Sequence, residues 1–441
     1  MAGGKFFGGV HPPYNKELAQ DQVIEVMPMP ERLVVHFTQN LGAPPEPVIK
    51  KGDVVQKGQI IAESRGFVSV PVHAPTSGTV KSIDVYPHPV GVDIPAAVIV
   101  PDGADEWVEG CNDERDDTGL DEATLKNLIH DAGMVGMGGA AFPTHVKLSP
   151  PKEKPIDLLI INGAECEPYL TADHRLMLEK PEGIVTGSSL FARVLGVKRI
   201  IVAVEKNKPD AIETMRRHIV DRKGFSVEGM NVVYPQGAEK QLIFALTGRR
   251  VPAGGLPMDV GVLVQNVGTA FAAYEAVRFG RPLIQRVVTV TGGGIVQPKN
   301  ILTLIGTTFE DLVAFCGGFH ENTGKVISGG PMMGVAQYSL QASVTKGTSG
   351  IVLLRQEEIP QFVSDACIRC GRCITVCPMR LQPSALSIFV ERMHFDEAEE
   401  YNVADCIECG CCAYVCPSRR PLVHHFRRAK AELREKSKKA G

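Results

Sequence analysis

A cysteine run that occurs twice constrains this chain more than any other feature. Cys367, Cys370, Cys373 and Cys377 precede Pro378, and Cys406, Cys409, Cys412 and Cys416 precede Pro417. Both runs read C-x2-C-x2-C-x3-C-P, a spacing that ligates [4Fe–4S] clusters. Three closely spaced thiolates can wrap one cubane, and the proline stops a helix from running on through the fourth. In proteins with two such runs, the fourth cysteine ligates the other cluster. One cluster is therefore assigned to Cys367, Cys370, Cys373 and Cys416, and the other to Cys406, Cys409, Cys412 and Cys377. Zinc knots or disulfides are the competing reading, but zinc sites show separated C-x2-C pairs, not a repeated triplet plus C-P. Two one-electron centres make a wire, so the remaining residues must feed and drain it.

Composition narrows the setting. A length of 441 residues suggests two to four domains. With 44% hydrophobic and 22% charged residues the chain can bury real cores. A net charge of −3 gives no nucleic-acid signal. Eight of the twelve cysteines lie in the two runs, leaving Cys111, Cys166, Cys316 and Cys411. The Gly-rich start has no continuous apolar segment of a secretory signal, and no apolar run is long enough to span a bilayer. A soluble intracellular protein is expected, with peripheral membrane attachment left open.

The chain then divides into a multidomain α+β succession. Residues 1–35 form a Gly/Pro-rich lead-in expected to lie along another surface. Residues 36–103 alternate Val and Ile between K-G-D, K-G and P-T-S-G turns, the pattern of short hairpins. This stretch resembles the barrel-sandwich hybrid (lipoyl-like) fold of lipoyl and biotinyl carriers. The hairpin that carries their modified lysine reads Ser64-Arg65-Gly66-Phe67-Val68-Ser69 here, so no swinging arm is expected. An acidic linker follows, in which Trp107 is read as a packing anchor.

Residues 115–280 read as α/β. A helix is expected over Asp121–Ala132, strands at Leu158–Ile161, Ile200–Val204 and Val232–Tyr234, and helices over Ile184–Leu195 and Asp210–Val220. Residues 285–345 suggest a small β-grasp module in which Met332 and Met333 fill a core turn and Cys316 is a packed side chain. Residues 355–430 hold the cysteine runs, and residues 431–441 are a charged tail read as a solvated helix end. The lone or paired histidines, His145 and His424-His425 among them, lack metal spacing.

Four stretches of the α/β region carry groups that a strand-and-helix core does not need. Gly136, Gly138 and Gly139 leave bare backbone where a phosphate or ring could approach, with Lys147 nearby. Asn162, Glu165 and Glu167 follow an apolar strand, at the carboxyl end where open α/β sheets bind ligands. Tyr234, Gly237 and Glu239 form a third stretch, and Asn266 with Thr269 a fourth.

These stretches look like the flavin-binding motifs of the 51-kDa-type flavoprotein subunit of respiratory NADH dehydrogenases. In order, F-F-G-G-V-H-P, G-M-G-G-A-A-F-P-T, N-G-A-E-C-E-P, Y-P-Q-G-A-E-K-Q-L, S-G-G-P-M-M-G and the two C-P runs resemble the C subunit of Rnf (Rsx) electron-transport complexes over nearly the whole chain. The resemblance implies an SLBB-like β-grasp module and a C-terminal bacterial-type ferredoxin domain. It also implies noncovalent FMN, NADH as hydride donor, and partner subunits that include a ferredoxin-like iron–sulfur protein. Electrons would pass singly toward ferredoxin at the cytoplasmic face of the membrane, reversibly, coupled to Na+ or H+ movement by other subunits.

By the same resemblance, Gly136, Gly138, Gly139 and Lys147 hold the flavin. Asn162, Glu165, Tyr234, Gly237, Asn266 and Thr269 complete its pocket, and Glu167 and Glu239 help seat NADH. The dehydrogenase pattern has Arg at Met137, Asp at Ala164 and Gly at Cys166. No side chain need transfer a proton, so none is named as catalytic. Cys411 is read as a spare thiol. Two other readings stand beside this one: a soluble flavin/iron–sulfur reductase of the cobalamin-reductase kind, and a cluster-bearing scaffold without flavin.

Overall fold

A computed structural model describes residues 5–359 and 364–440, with side chains to 438. The first residues of the lead-in, residues 360–363 at the head of the cluster domain, and residue 441 lie outside the described residues.

The sandwich comprises a four-stranded sheet ordered Leu33–His36, Asp93–Pro101, Gly78–Pro87 and Val54–Val55, and a three-stranded sheet ordered Glu46–Pro47, Ile60–Glu63 and Val72–His73. Inward Val, Ile and Leu from both sheets form one core, which includes Leu33, Val35, Ile61, Val80 and Ile99. The Ser64–Ser69 hairpin turns toward the α/β domain: Ser64 Oγ lies 3.2 Å from His130 Nε2, and Phe67 O 2.9 Å from His145 Nε2. Trp107 lies against the sandwich with the Lys57 ammonium 4.8 Å above its ring, so it is a packing anchor.

The α/β domain is a four-stranded parallel sheet ordered Phe225–Met230, Ile200–Glu205, Leu158–Gly163 and Val262–Asn266. Successive side chains of a strand point to opposite faces. Leu159 and Ile161 accordingly join the core under the helices Glu122–Asp131, Pro181–Leu195 and Val267–Phe279. Leu158 and Ile160 join the core on the other face, under Glu239–Thr247. Burial on both faces explains the unbroken apolar run, with each fully buried Leu or Ile contributing roughly 1.5–3 kcal/mol.

The expected strand at Val232–Tyr234 is displaced. The edge strand is Phe225–Met230, and Val232–Tyr234 is an irregular segment that bridges to Val10. Glu228 and Gly229 dilute the apolar signal of the true strand, which an edge position tolerates.

The β-grasp sheet has six strands, ordered Ile24–Val26, Lys299–Leu304, Gln285–Thr291, Gly350–Arg355, Thr323–Ser328 and Val335–Ala336. It is wider than the expected module, since the lead-in supplies one edge and Gly350–Arg355 a central strand. Cys316 is fully buried in its core, but Met333 is 46% exposed and does not fill it. The cluster domain ends in one helix, Leu422–Ala440, so the charged tail is its continuation. Among the described residues no helix is long and apolar enough to cross a membrane.

The lead-in runs over three domains. Gly9 N donates to Val376 O at 2.9 Å, Val10 exchanges two backbone bonds with Tyr234, and Tyr14 O accepts from Tyr169 N at 2.7 Å. Buried Lys16 donates to Glu167 O at 2.9 Å and to Leu170 O.

Candidate flavin crevice and cluster pockets

The order of the parallel sheet places a topological switch point between Leu158–Gly163 and Val262–Asn266, where the strand order reverses. Ligand crevices of open α/β sheets form outside such carboxyl ends. Asn162 and Asn266 stand there as register partners. Asn162 accepts from Ala164 N at 3.0 Å and donates to Gly237 O at 2.9 Å, tying two loops together. Asn266 caps the helix Val267–Phe279, accepting from Gly268 N at 2.8 Å and Thr269 N at 3.3 Å, and donates to Asp173 Oδ2 at 2.6 Å.

The glycine loop crosses this point. Met137 N donates to Thr269 Oγ1 at 2.9 Å, and Gly136 N to Phe142 O at 2.9 Å. A Cβ on Gly138 would lie 3.0 Å from the Asn266 side chain, while Gly139 faces open space. On Gly237 a Cβ would meet Ala164 O at 2.2 Å, so only glycine lets the two loops approach. Lys147 donates to Glu239 at 2.8 Å and to Val264 O at 3.2 Å, midway along the strand Val262–Asn266.

The acids take distinct places. Glu165 accepts from Asp173 N at 3.0 Å and His174 N at 3.3 Å, closing the first turn of Ala172–Glu179. Glu167 accepts from Met332 N at 3.1 Å, Met333 N at 2.9 Å and Tyr234 OH at 3.4 Å, so it ties the α/β domain to the β-grasp turn. Burial raises the Glu167 carboxyl to about 7 against the pull of those amides. Asp173 is also raised to about 7, by burial and then by Glu165.

Sequence reasoning missed Asp173, Lys16 and two buried cations of the β-grasp module. Arg286 donates to Lys346 O and to Met137 O, the latter at 3.4 Å. Lys346 Nζ donates to Gly133 O at 2.7 Å and Pro71 O at 2.8 Å. Arg286 carries one sequence signal, a positive charge within an apolar stretch, whereas Lys346 lies among Thr345, Gly347 and Thr348 and carries none. Three domains thus converge behind the glycine loop.

These residues fit a flavin nucleotide. The crevice offers bare glycine backbone, a capped helix N-terminus and Lys147 for a phosphate, with loop carbonyls and asparagines for ring edges.

Two pockets lie in the C-terminal domain. Cys377, Cys406, Cys409, Cys411 and Cys412 line the first, and Cys367, Cys370, Cys373 and Cys416 the second. Cys411 apart, each set joins three cysteines of one run to one of the other, and all twelve cysteines are free of disulfides. Four thiols of the two runs at each pocket suit a pair of cubanes. Backbone amides already point at sulfur: Arg369 N to Cys367 at 3.4 Å, Glu408 N to Cys406 at 3.3 Å and Leu381 N to Cys377 at 3.4 Å.

The first pocket touches the flavin-side loops. Tyr234, Cys409, Cys411 and Val10 share one apolar cluster, against which Cys166 and Met332 pack. Cys411 Sγ lies 3.9 Å from Tyr234 O, so this spare thiol is a packed contact between domains. Gln241 reaches Pro378 O at 3.4 Å, and Asp405 accepts from Gly254 N at 3.0 Å.

Crevice and pockets together define a flavin- and iron–sulfur-containing redox protein. The RnfC barrel-sandwich hybrid domain matches residues 4–104, the Nuo51 FMN-binding domain residues 129–275, the SLBB domain residues 287–336 and the 4Fe-4S dicluster domain residues 359–417. The chain is 52% identical over 97% of its length, and 94% of the relative's, to the C subunit of the proton-translocating ferredoxin:NAD(+) oxidoreductase complex of Clostridium ljungdahlii. It is 46% identical over 98% of its length, and 97% of the relative's, to the C subunit of the Na(+)-translocating ferredoxin:NAD(+) oxidoreductase complex of Acetobacterium woodii. With the C subunit of the ion-translocating oxidoreductase complex of Rhodobacter capsulatus it shares 45% identity over 97% of its length and 83% of the relative's. The chain belongs to this family, the C subunits of ion-translocating ferredoxin:NAD(+) oxidoreductase complexes, and its cofactors are FMN and [4Fe–4S] clusters.

Proposed function

We propose that this chain is the NADH-oxidising subunit of an Rnf-type complex, held peripherally at the cytoplasmic face of the membrane. Electrons cross it from the flavin crevice to the Cys377/Cys406/Cys409/Cys412 pocket, and then to the Cys367/Cys370/Cys373/Cys416 pocket. Other subunits couple the transfer to Na+ or H+ movement, and the direction reverses with the NADH/NAD+ balance. One observation carries the order: Tyr234 of the crevice and Cys409 and Cys411 of the first pocket belong to one packed cluster.

FMN, when bound, supplies a centre that takes a hydride and releases electrons one at a time. The chain's own residues place and shield it. Gly136, Gly138, Gly139 and Lys147 would hold the flavin, and Asn162, Gly237, Asn266 and Thr269 would fix the loops around it. Tyr234 closes the side toward the clusters. Glu165 keeps the Asp173 turn in place. Glu239 at the open rim seats the nicotinamide nucleotide, while Glu167 acts from below by anchoring the Met332–Met333 turn.

The test is anaerobic purification with flavin and iron analysis, followed by NADH titration. About one FMN per chain and NADH-dependent bleaching of both clusters are expected. Gly138→Val should lose flavin and NADH oxidation while keeping its iron. A native chain with full iron, no flavin and no response to NADH would sink the proposal, and rapid reduction of a corrinoid by a chain that never copurifies with membrane subunits would redirect it to the soluble reductases.

A further inference from the structure

The two halves of the cysteine repeat fold alike but end in different surroundings. Gly371 and Gly410 hold equivalent places, with φ of 75° and 80°. A Cβ on Gly410 would lie 2.8 Å from Met332 O, whereas Gly371 faces open space. Ile407 packs against the Tyr234 cluster, while its counterpart Ile368 is 67% exposed. Glu408 is bound by Arg427 at 2.8 Å and Lys430 at 2.9 Å, while its counterpart Arg369 is exposed. Where the second half has the buried Cys411, the first has the exposed Arg372. One half of the repeat thus presses its face onto the flavin-side domains, and the other leaves the same face bare.

That bare face adjoins the second cavity, whose wall includes Ile368, Cys370 and Gly371, and Cys370 is itself exposed. The charged groups nearby favour cations. Arg419 is also exposed, Arg420 is buried against Glu391, and Asp365, whose backbone N donates to Ser418 O at 3.0 Å, is an exposed acid beside them.

We propose that the face formed by Ile368, Arg369, Cys370 and Arg372 docks an acidic partner domain that carries its own one-electron centre. The docked half of the repeat sets the precedent: there an isoleucine and its neighbours bring a cysteine pocket against a redox crevice. Electron-transfer encounters are small and weak, and opposite charges guide them. Two guanidinium forks around an exposed isoleucine suit a carboxylate-rimmed apolar spot. The inference rests on the exit order proposed above.

The test uses the full holoprotein and a reduced acidic bacterial ferredoxin as the probe donor, with flavin and cluster reduction followed by stopped flow. In Arg369→Glu/Arg372→Glu the bimolecular rate should fall by about tenfold or more, the scale of electrostatic steering. The rate in the unchanged protein should fall steeply with salt. Arg369→Lys/Arg372→Lys should keep most of the rate, and cluster EPR and NADH-driven flavin reduction should be unaltered in both variants. An unchanged rate in the Glu pair overturns the proposal. So does an equal loss in Arg216→Glu/Arg217→Glu, two exposed arginines on the helix Pro209–His218 of the α/β domain. If NADH fails to bleach the clusters of the unchanged protein, the exit-order reading fails instead.

Discussion

Asn162 and Asn266 end adjacent parallel strands in direct register, and each turns its side chain to a different task. Asn162 holds the Tyr234–Gly237 loop through Gly237 O, and Asn266 holds a helix N-terminus and Asp173. The crevice is therefore shaped by two amides that arrive from sequence positions about a hundred residues apart.

Asn266→Ala should lose the helix cap and strand Asp173. Loss of a cap costs about 1 kcal/mol, so a modest drop in melting temperature is expected. Flavin affinity, measured by FMN release on dilution, should fall more than stability does, because the glycine loop rests on this side chain.

Gly237→Ala should be worse than its size suggests. The added Cβ would sit 2.2 Å from Ala164 O, inside contact distance, so the two loops must part. Flavin content should collapse while iron content stays near that of the parent protein. Normal flavin occupancy in this variant would show that the loops need not touch.

Cys377→Ser should damage the cluster of Cys406, Cys409 and Cys412, not that of its sequence neighbours, since it lines their cavity. Cys416→Ser should do the reverse. EPR spectra of the reduced variants distinguish the crossed from the local arrangement.

Asp173 gives a pH signature. Its folded pKa, raised to about 7, lies above the value of about 3.9 for an unfolded aspartate. The folded chain thus keeps a proton that the unfolded chain has released. Its contribution to stability is full below about pH 4 and is lost as pH rises through about 7. Asp173→Asn should flatten the decline in melting temperature between those limits. Identical pH profiles for the two proteins would exclude the raised carboxyl.

Several features were legible without coordinates because they depend on spacing or period. The dicluster domain follows from ligand spacing around a rigid cubane. The inner strand, expected at Leu158–Ile161 and found at Leu158–Gly163, follows from an apolar run between turn signals, and the short strands of the sandwich follow from its K-G and P-T-S-G turns. Phe225–Met230 was not legible, because an edge strand with Glu228 and Gly229 carries little periodic signal. The wide β-grasp sheet was not legible either. Ile24–Val26 and Gly350–Arg355 pair with strands far from them in sequence, and nothing local in a three-residue segment announces a distant partner.

The sequence by itself determined that the chain carries two cluster-binding runs and in what order the modules follow one another. Ligand spacing and side-chain period are local properties, written within a few tens of residues. Tertiary structure alone decided which cluster pocket lies against Tyr234, that Lys147 pairs with Glu239, and that Glu167 braces the Met332–Met333 turn. Those outcomes depend on which distant surfaces bury one another. The same repeat accordingly ends with Ile407 covered and Ile368 bare.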